Sequence, residues 1–122
     1  MDWDEFAEYL FGLDPMIRYV GVVDDRYRLI ISKTREGVVS IVSDDVDRSF
    51  MPIAPPIILD AVEKLEKFVG NLEGIVARYE KLVFLFFRHQ GNTIILTAET
   101  KIPTPLITKV SQALRELDTK KK

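Results

Sequence analysis

Six consecutive apolar residues, Leu82-Val83-Phe84-Leu85-Phe86-Phe87, dominate this chain. The run is far short of the roughly 20 residues a membrane-spanning helix needs. Its length, aromatic content and flanking turn residues fit a strand. A strand alternates its side chains between two faces, so this one is apolar on both and must be covered on both. Ile94 to Ala98 has largely the same character. A helix buries only a stripe, so helices are expected on two sides of one sheet.

The remaining elements follow from local signals. Asp2 is a good helix N-cap, with Glu5 completing a capping-box-like pair. Trp3, Phe6, Ala7, Leu10 and Leu13 then mark one helical face, ending near Gly12 and Pro15. The stretches 16–23 and 27–32 are rich in β-branched and aromatic residues and flank Asp24-Asp25-Arg26, which reads as a hairpin. Gly21 suggests a bulge or a close approach, with packing room for a helix the simpler reading.

Between Lys33 and Pro56 the pattern is least clear: 38–42 suits a short strand, and Asp44-Asp45-Val46-Asp47 with Pro52, Pro55 and Pro56 marks loop. A helix starts at Pro55-Pro56 and runs to about Leu72, with Ile58, Val62, Leu65, Val69 and Leu72 as its apolar face. Glu63, Lys64, Glu66 and Lys67 fall off that face, and Gly70 and Gly74 are stop signals.

Ile75 to Tyr79 carries Arg78 and is less apolar than its successors, which suits a sheet edge. His89-Gln90-Gly91-Asn92 is a turn, with Gly91-Asn92 suited to a tight hairpin into the last strand. Thr104-Pro105 opens a final helix with Leu106, Val110, Ala113, Leu114 and Leu117 as its apolar face. The order is α-β-β-α-β-β-β-α. It predicts an α/β (α+β) sandwich built on a mostly antiparallel five-stranded sheet, in one domain spanning 1–122, with 119–122 a disordered basic tail.

An open edge strand exposes unpaired backbone donors and acceptors, so it is either protected or paired with another chain. Joining two such edges about a two-fold axis makes a symmetric dimer. A covered edge within a monomer is the alternative.

No catalytic site is legible. The Gly-rich phosphate cradles and the nucleophile elbow of hydrolases are absent. His89 is the single histidine, which excludes two-histidine zinc sites. Its expected state is a turn residue with a solvated ring. An EF-hand loop counted from Asp45 fails, because Phe50 stands where glycine is required and Pro56 where the bidentate glutamate belongs. Asp44, Asp45 and Asp47 therefore read as loop carboxylates. Tyr79, Phe84, Phe86 and Phe87 could line a ligand cavity, but core packing is the commoner use of such residues. No catalytic residue, metal site or cofactor is expected.

Composition narrows the partners. A net charge of −2 argues against a nucleic-acid binder, whose footprint is usually basic. Lys120-Lys121-Lys122 reads as a solvated tail, with contact to anionic lipid or nucleic acid as the alternative. The absence of cysteine removes disulfides and thiolate chemistry and fits a reducing cytoplasm. The acidic start, Met1-Asp2-Trp3-Asp4-Glu5, does not read as a signal peptide, and no membrane insertion is expected.

The element order and three segments resemble the roadblock (dynein light-chain) domain family, and an archaeal branch of roadblock-like proteins more closely. The segments are Ile17-Arg18-Tyr19-Val20-Gly21-Val22-Val23-Asp24, Arg78-Tyr79-Glu80-Lys81-Leu82-Val83 and Ile94-Ile95-Leu96-Thr97-Ala98-Glu99. The resemblance covers most of the chain and implies a roadblock/profilin-like fold. It also implies a non-catalytic dimeric scaffold, paired with itself or with a roadblock-like paralogue, that regulates or anchors a small GTPase. In such dimers the third strand, here Ile75, Val76, Ala77, Arg78 and Tyr79, pairs across the two-fold axis. The second helix lies beside its mate and lends a partner surface, here Glu63, Glu66 and Lys67. The stretch from Gly37 to Pro55 departs from the family, which usually runs briefly from second strand to helix. A small-molecule sensor of similar sandwich architecture is the competing reading, and a pocket around Phe84, Phe86 and Tyr19 would favour it.

Overall fold

The computed structural model describes residues 2–102 and 105–120. Helix α1 (Trp3–Phe11) begins where the Asp2 carboxylate accepts from the backbone N–H groups of Asp4 and Glu5 at 3.0 and 3.2 Å. That satisfies two of the donors a helix start leaves open. Strands β1 (Ile17–Val23) and β2 (Leu29–Thr34) form the expected hairpin. Its turn is tied by Asp24, whose carboxylate accepts from the N–H groups of Arg26 and Arg28. The close approach at Gly21 is to the Tyr19 ring and not to a helix. A Cβ there would lie 2.7 Å from the Tyr19 hydroxyl oxygen.

The stretch after β2 departs from expectation. Residues 38–42 form no strand, and the acidic run read as loop is the first turn of α2 (Asp44–Phe50). Ser43 caps it, its Oγ accepting the Val46 N–H at 3.4 Å. Asp44, Asp45 and Asp47 sit where the helix dipole favours negative charge, so the same residues that signal a turn also open a helix.

The expected single helix over 56–72 is two. Helix α3 (Ala54–Glu63) takes Pro55 and Pro56 in its first turn. The Leu65 N–H then bonds to the Val62 carbonyl at 3.1 Å, a tighter 3₁₀-type turn that breaks the helix. The short α4 (Glu66–Val69) follows and ends at Gly70, with φ 94°. The buried face of α3 is Pro55, Pro56 and Leu59, so Ile58, Leu65 and Val69 of the expected core stripe point to solvent instead.

Strands β3 (Ile75–Arg78), β4 (Val83–His89) and β5 (Asn92–Ala98) complete the sheet. The β4–β5 turn centres on Gln90-Gly91, one residue earlier than expected, with φ of 51° and 81°. Both values are positive, as a type I′ turn requires. The strand order is β2-β1-β5-β4-β3, with every pairing antiparallel. Helix α5 (Leu106–Lys120) ends the described chain, so the backbone of the first two residues of the expected tail is helical. The expected cap Thr104 and the last two lysines, Lys121 and Lys122, lie outside the described residues.

Strand β4 works as its sequence demands. Val83, Leu85 and Phe87 join Phe6 and Leu10 of α1 and Leu106, Val110 and Leu114 of α5 on one side. Leu82, Phe84 and Phe86 join Met51 and Leu59, under α2 and α3, on the other. Each fully buried Phe or Leu contributes about 1.5–3 kcal/mol of transfer free energy. The two-sided core is therefore what holds the helices to the sheet.

Candidate functional site

Strand β3 lies at the sheet's edge, as its weaker apolar pattern predicts. The Tyr79 N–H donates to the Leu82 carbonyl at 2.8 Å, continuing the register Ile75 with Phe86 and Ala77 with Phe84. Antiparallel ladders alternate the direction of their backbone groups. Ile75, Ala77 and Tyr79 therefore bond to β4, while Val76 and Arg78 turn their N–H and C=O groups to the open edge. Ile75 and Ala77 pack towards α2 and α3. The Tyr79 ring stands edge-on to Phe84 at 5.7 Å and is more than half exposed.

Helices α3 and α4 and the turn between them also leave apolar side chains in solvent. Ile57, Leu65, Phe68 and Val69 are all exposed, Phe68 at 74% and Val69 at 79%. Isolated exposed apolar residues need no explanation, but four of them between Ile57 and Val69 mark a candidate contact surface. The sequence reading missed Phe68 altogether and placed Leu65 and Val69 in the core. An offset stripe through Leu59 is the signal that separates the two faces.

The residues expected to form a partner surface divide. The Glu63 carboxylate is held by Arg88 of β4, with Nη2 at 3.1 Å, and the same nitrogen reaches Asp60 at 2.6 Å. Glu66 accepts the Leu72 N–H at 2.7 Å, tying α4 to the approach to β3. Lys67 is exposed, with its ammonium 5.1 Å from the centre of the Phe68 ring.

An apolar hollow of about 330 Å³ opens between α2 and the β3–β4 hairpin. Val46, Phe50, Met51, Tyr79, Leu82 and Phe84 are among its walls, and Lys81 is its single charged lining residue. Of the aromatic residues considered for a cavity, Phe86 and Phe87 are core instead, on opposite sides of the sheet. Tyr19 is also buried, its hydroxyl 2.8 Å from Ser32 Oγ. Burial pushes the Tyr19 pKa up to about 12, against the hydrogen bond to Ser32 and with a small push from Asp47. Asp47 itself is buried, and burial first, then the neighbouring Asp44 carboxylate, holds it above the ordinary range.

His89 is not the solvated turn residue its position suggests. It is buried, stacks on Phe6 at 5.6 Å, and its Nδ1 lies 3.6 Å from an Asp118 oxygen. Among the described residues no group of three or more acidic or histidine side chains could hold a metal ion. None of their helices is long and apolar enough to cross a membrane.

No family model matches this chain, and no curated protein matches it. Solved structures do match its fold. A roadblock/LC7 domain from Streptomyces avermitilis superposes with a TM-score of 0.68 at 9% identity, covering 98% of this chain and 95% of that one. Myxococcus xanthus MglB gives 0.68 at 14% identity, covering 98% and 96%. MglC from the same organism gives 0.56 at 10% identity, covering 96% and 99%. The chain has the roadblock/LC7 fold.

Proposed function

We propose that this chain is a non-catalytic interaction module that acts as a dimer, with itself or with a roadblock-like paralogue. The observation that carries the reading is the open β3 edge, in a chain that also leaves Ile57, Leu65, Phe68 and Val69 exposed. Two such edges joined about a two-fold axis extend the sheet and satisfy the open backbone groups. A fold by itself does not fix a function, so the open edge bears the weight.

The register of that pairing is narrowly limited. Only Val76, Arg78 and their even-numbered neighbours offer outward backbone groups, so the two-fold axis must pass through a residue. Centring on Arg78 sets two guanidinium groups face to face. Centring on Ala77 pairs Val76 with Arg78 and keeps the two guanidinium groups apart, which is the favourable charge arrangement.

The dimer's helical face then meets the protein it serves, with a small GTPase the partner class that the roadblock resemblance implies. Of the three residues expected to form the partner surface, Lys67 is the exposed one. A neighbouring fold, "MglB with tetrameric arrangement", is an assembly of copies in that protein. Light scattering across a concentration range tests the dimer: a mass twice 14.0 kDa is expected, and a strict monomer rejects it. Pull-down from native lysate with added GDP or a GTP analogue tests the partner. Good recovery of other proteins with no GTPase rejects that class.

The sensor reading keeps one observation in its favour, the apolar hollow of about 330 Å³, which is within the size range of small-molecule sites. Native mass spectrometry of protein purified without denaturation tests it, a co-purifying small molecule being the required result.

A further inference from the structure

We infer that the apolar hollow and the buried Asp47 carboxylate form one site for a small hydrophobic primary amine, its apolar body in the hollow and its ammonium at Asp47. The inference rests on the sensor reading and deepens it by naming the ligand class.

One row of residues ties the two parts together. Thr34 pairs with Tyr19, Tyr19 with Thr97, Thr97 with Phe84, and Phe84 with Ala77, one residue from each strand. Residues opposite one another in a sheet point to the same face. Here that is the face under α2 and α3, where Tyr19, Phe84 and Ala77 pack. Phe84 is a wall of the hollow. Thr97, Tyr19 and Thr34, next along the row, line a chamber of about 20 Å³ together with Asp47. Neighbouring strands lie about 4.8 Å apart, so Thr97 and Tyr19 stand roughly 5 and 10 Å from Phe84 along the row. The chamber and the hollow share Ile41, Val42, Met51 and Leu82 as walls. The Met51 N–H bonds to the Asp47 carbonyl, so Asp47 lies one helical turn from a wall common to both.

Asp47 is what calls for a cation. It is 8% exposed, and among the described residues its side chain makes no ion pair or hydrogen bond. A buried charge without a partner is costly, which is why such groups are normally paired. Burial, then Asp44, already holds this carboxyl above its ordinary range, and a bound cation relieves both effects. Arg18 also lines the chamber but is committed to Glu99 at 2.6 Å and to the Val39 carbonyl at 2.8 Å. Arg48, in the recess on the other side of Asp47, is exposed and forms no ion pair with it.

The size of the chamber selects the head group. About 20 Å³ admits one group as large as a water molecule, which an ammonium matches and a guanidinium exceeds. An ammonium brings three donors, and the hydroxyls of Tyr19, Thr34 and Thr97 stand with the carboxylate around the chamber to accept them. The hollow selects the rest: its aromatic walls Phe50, Tyr79 and Phe84 suit a ring or a short alkyl chain. Lys81 at the hollow would draw an anion instead, but it is exposed and its charge is already solvated. The buried, unpaired Asp47 has the larger unmet interaction.

Calorimetric titration of the full chain with 2-phenylethylamine, 2-phenylethanol and phenylacetate tests the assignment, since the three share a ring and differ in charge. The amine is expected to bind one per chain and on the order of tenfold tighter than the alcohol, with phenylacetate weakest. Asp47→Asn, checked for folding by circular dichroism, is expected to bring the amine down to the affinity of the alcohol and leave the alcohol unchanged. Val46→Trp, at the half-exposed wall of the hollow, is expected to weaken both alike. Amine and alcohol binding equally, or an amine affinity untouched by Asp47→Asn, would overturn the ligand class while the sensor reading stands. Tightest binding of phenylacetate would do the same and pass recognition to Lys81. No binding of any of the three, with another small molecule co-purifying in native mass spectrometry, would also overturn the amine alone. No binding and nothing co-purifying would overturn both.

Discussion

Arg88 of β4 holds Glu63 of α3, its Nη2 3.1 Å from the Glu63 carboxylate, and so pins that helix to the sheet. The same guanidinium reaches Asp60 at 2.6 Å and Thr93 Oγ1 at 2.9 Å. Both partners of the Arg88–Glu63 pair are partly buried, so solvent screens it only in part. Arg88→Ala is expected to cost about 1–2 kcal/mol in urea unfolding. A double-mutant cycle with Glu63→Gln should return a coupling near 1 kcal/mol. A coupling of zero would mean that the helix is held by its apolar contacts alone.

Proline substitutions along β3 separate its two backbone faces. Val76→Pro and Arg78→Pro each remove a donor that points to the open edge. They should abolish the dimer in light scattering while leaving a folded monomer by circular dichroism. Ala77→Pro removes a bond to β4 and should unfold the hairpin, costing about 3 kcal/mol or more. Equal damage at all three positions would argue against the alternation derived from the Tyr79–Leu82 bond.

Tyr19 gives the fold an alkaline limit. Its pKa is pushed from 10.0 to about 12, foremost by burial. The folded state thus holds the phenol proton more tightly than the unfolded chain. The corresponding stability is fully present below pH 10 and is lost as pH rises towards 12. Each tenfold gain in proton affinity is equivalent to about 1.4 kcal/mol, so the loss comes to roughly 2–3 kcal/mol. Urea midpoints measured at pH 9, 10 and 11 should fall, and Tyr19→Phe should flatten that part of the profile.

Asp47 works in the opposite part of the scale. Burial, then Asp44, raises its pKa above the usual value of 3.8. The folded state therefore disfavours its charged form, and stability drops as pH rises through the raised value. Asp47→Asn should raise the urea midpoint at pH 7, with the gain fading below pH 4. A variant less stable than the parent at pH 7 would show that the carboxylate's charge is needed at the start of α2.

Much of this protein is legible in one dimension. The strand period is two, so Leu82–Phe87 can only be a strand buried on both sides. Helices on two faces, a five-stranded sheet and an edge at Ile75–Arg78 follow from that. Asp2 as a cap and Val110, Ala113 and Leu114 as a core face also depend on neighbours a few residues away, and local sequence carries such information.

Other features depend on neighbours far along the chain. Nothing local distinguishes Ile58 from Leu59 as the residue to bury, because both fit a helical stripe. The choice fell to Leu59 when Pro55 and Pro56 packed on the sheet and the helix broke after Glu63. That rotation left Leu65, Phe68 and Val69 in solvent. His89 likewise reads as a turn residue until Phe6, distant in sequence, stacks on it. The acidic run at 44–47 signals turn and helix start equally well, and Ser43 with the core beneath Met51 decided the matter. The layers of this protein are written in its linear pattern, because the period of burial is a local property. Which apolar residues stay outside is written only in three dimensions, because it depends on which distant surfaces meet and cover one another.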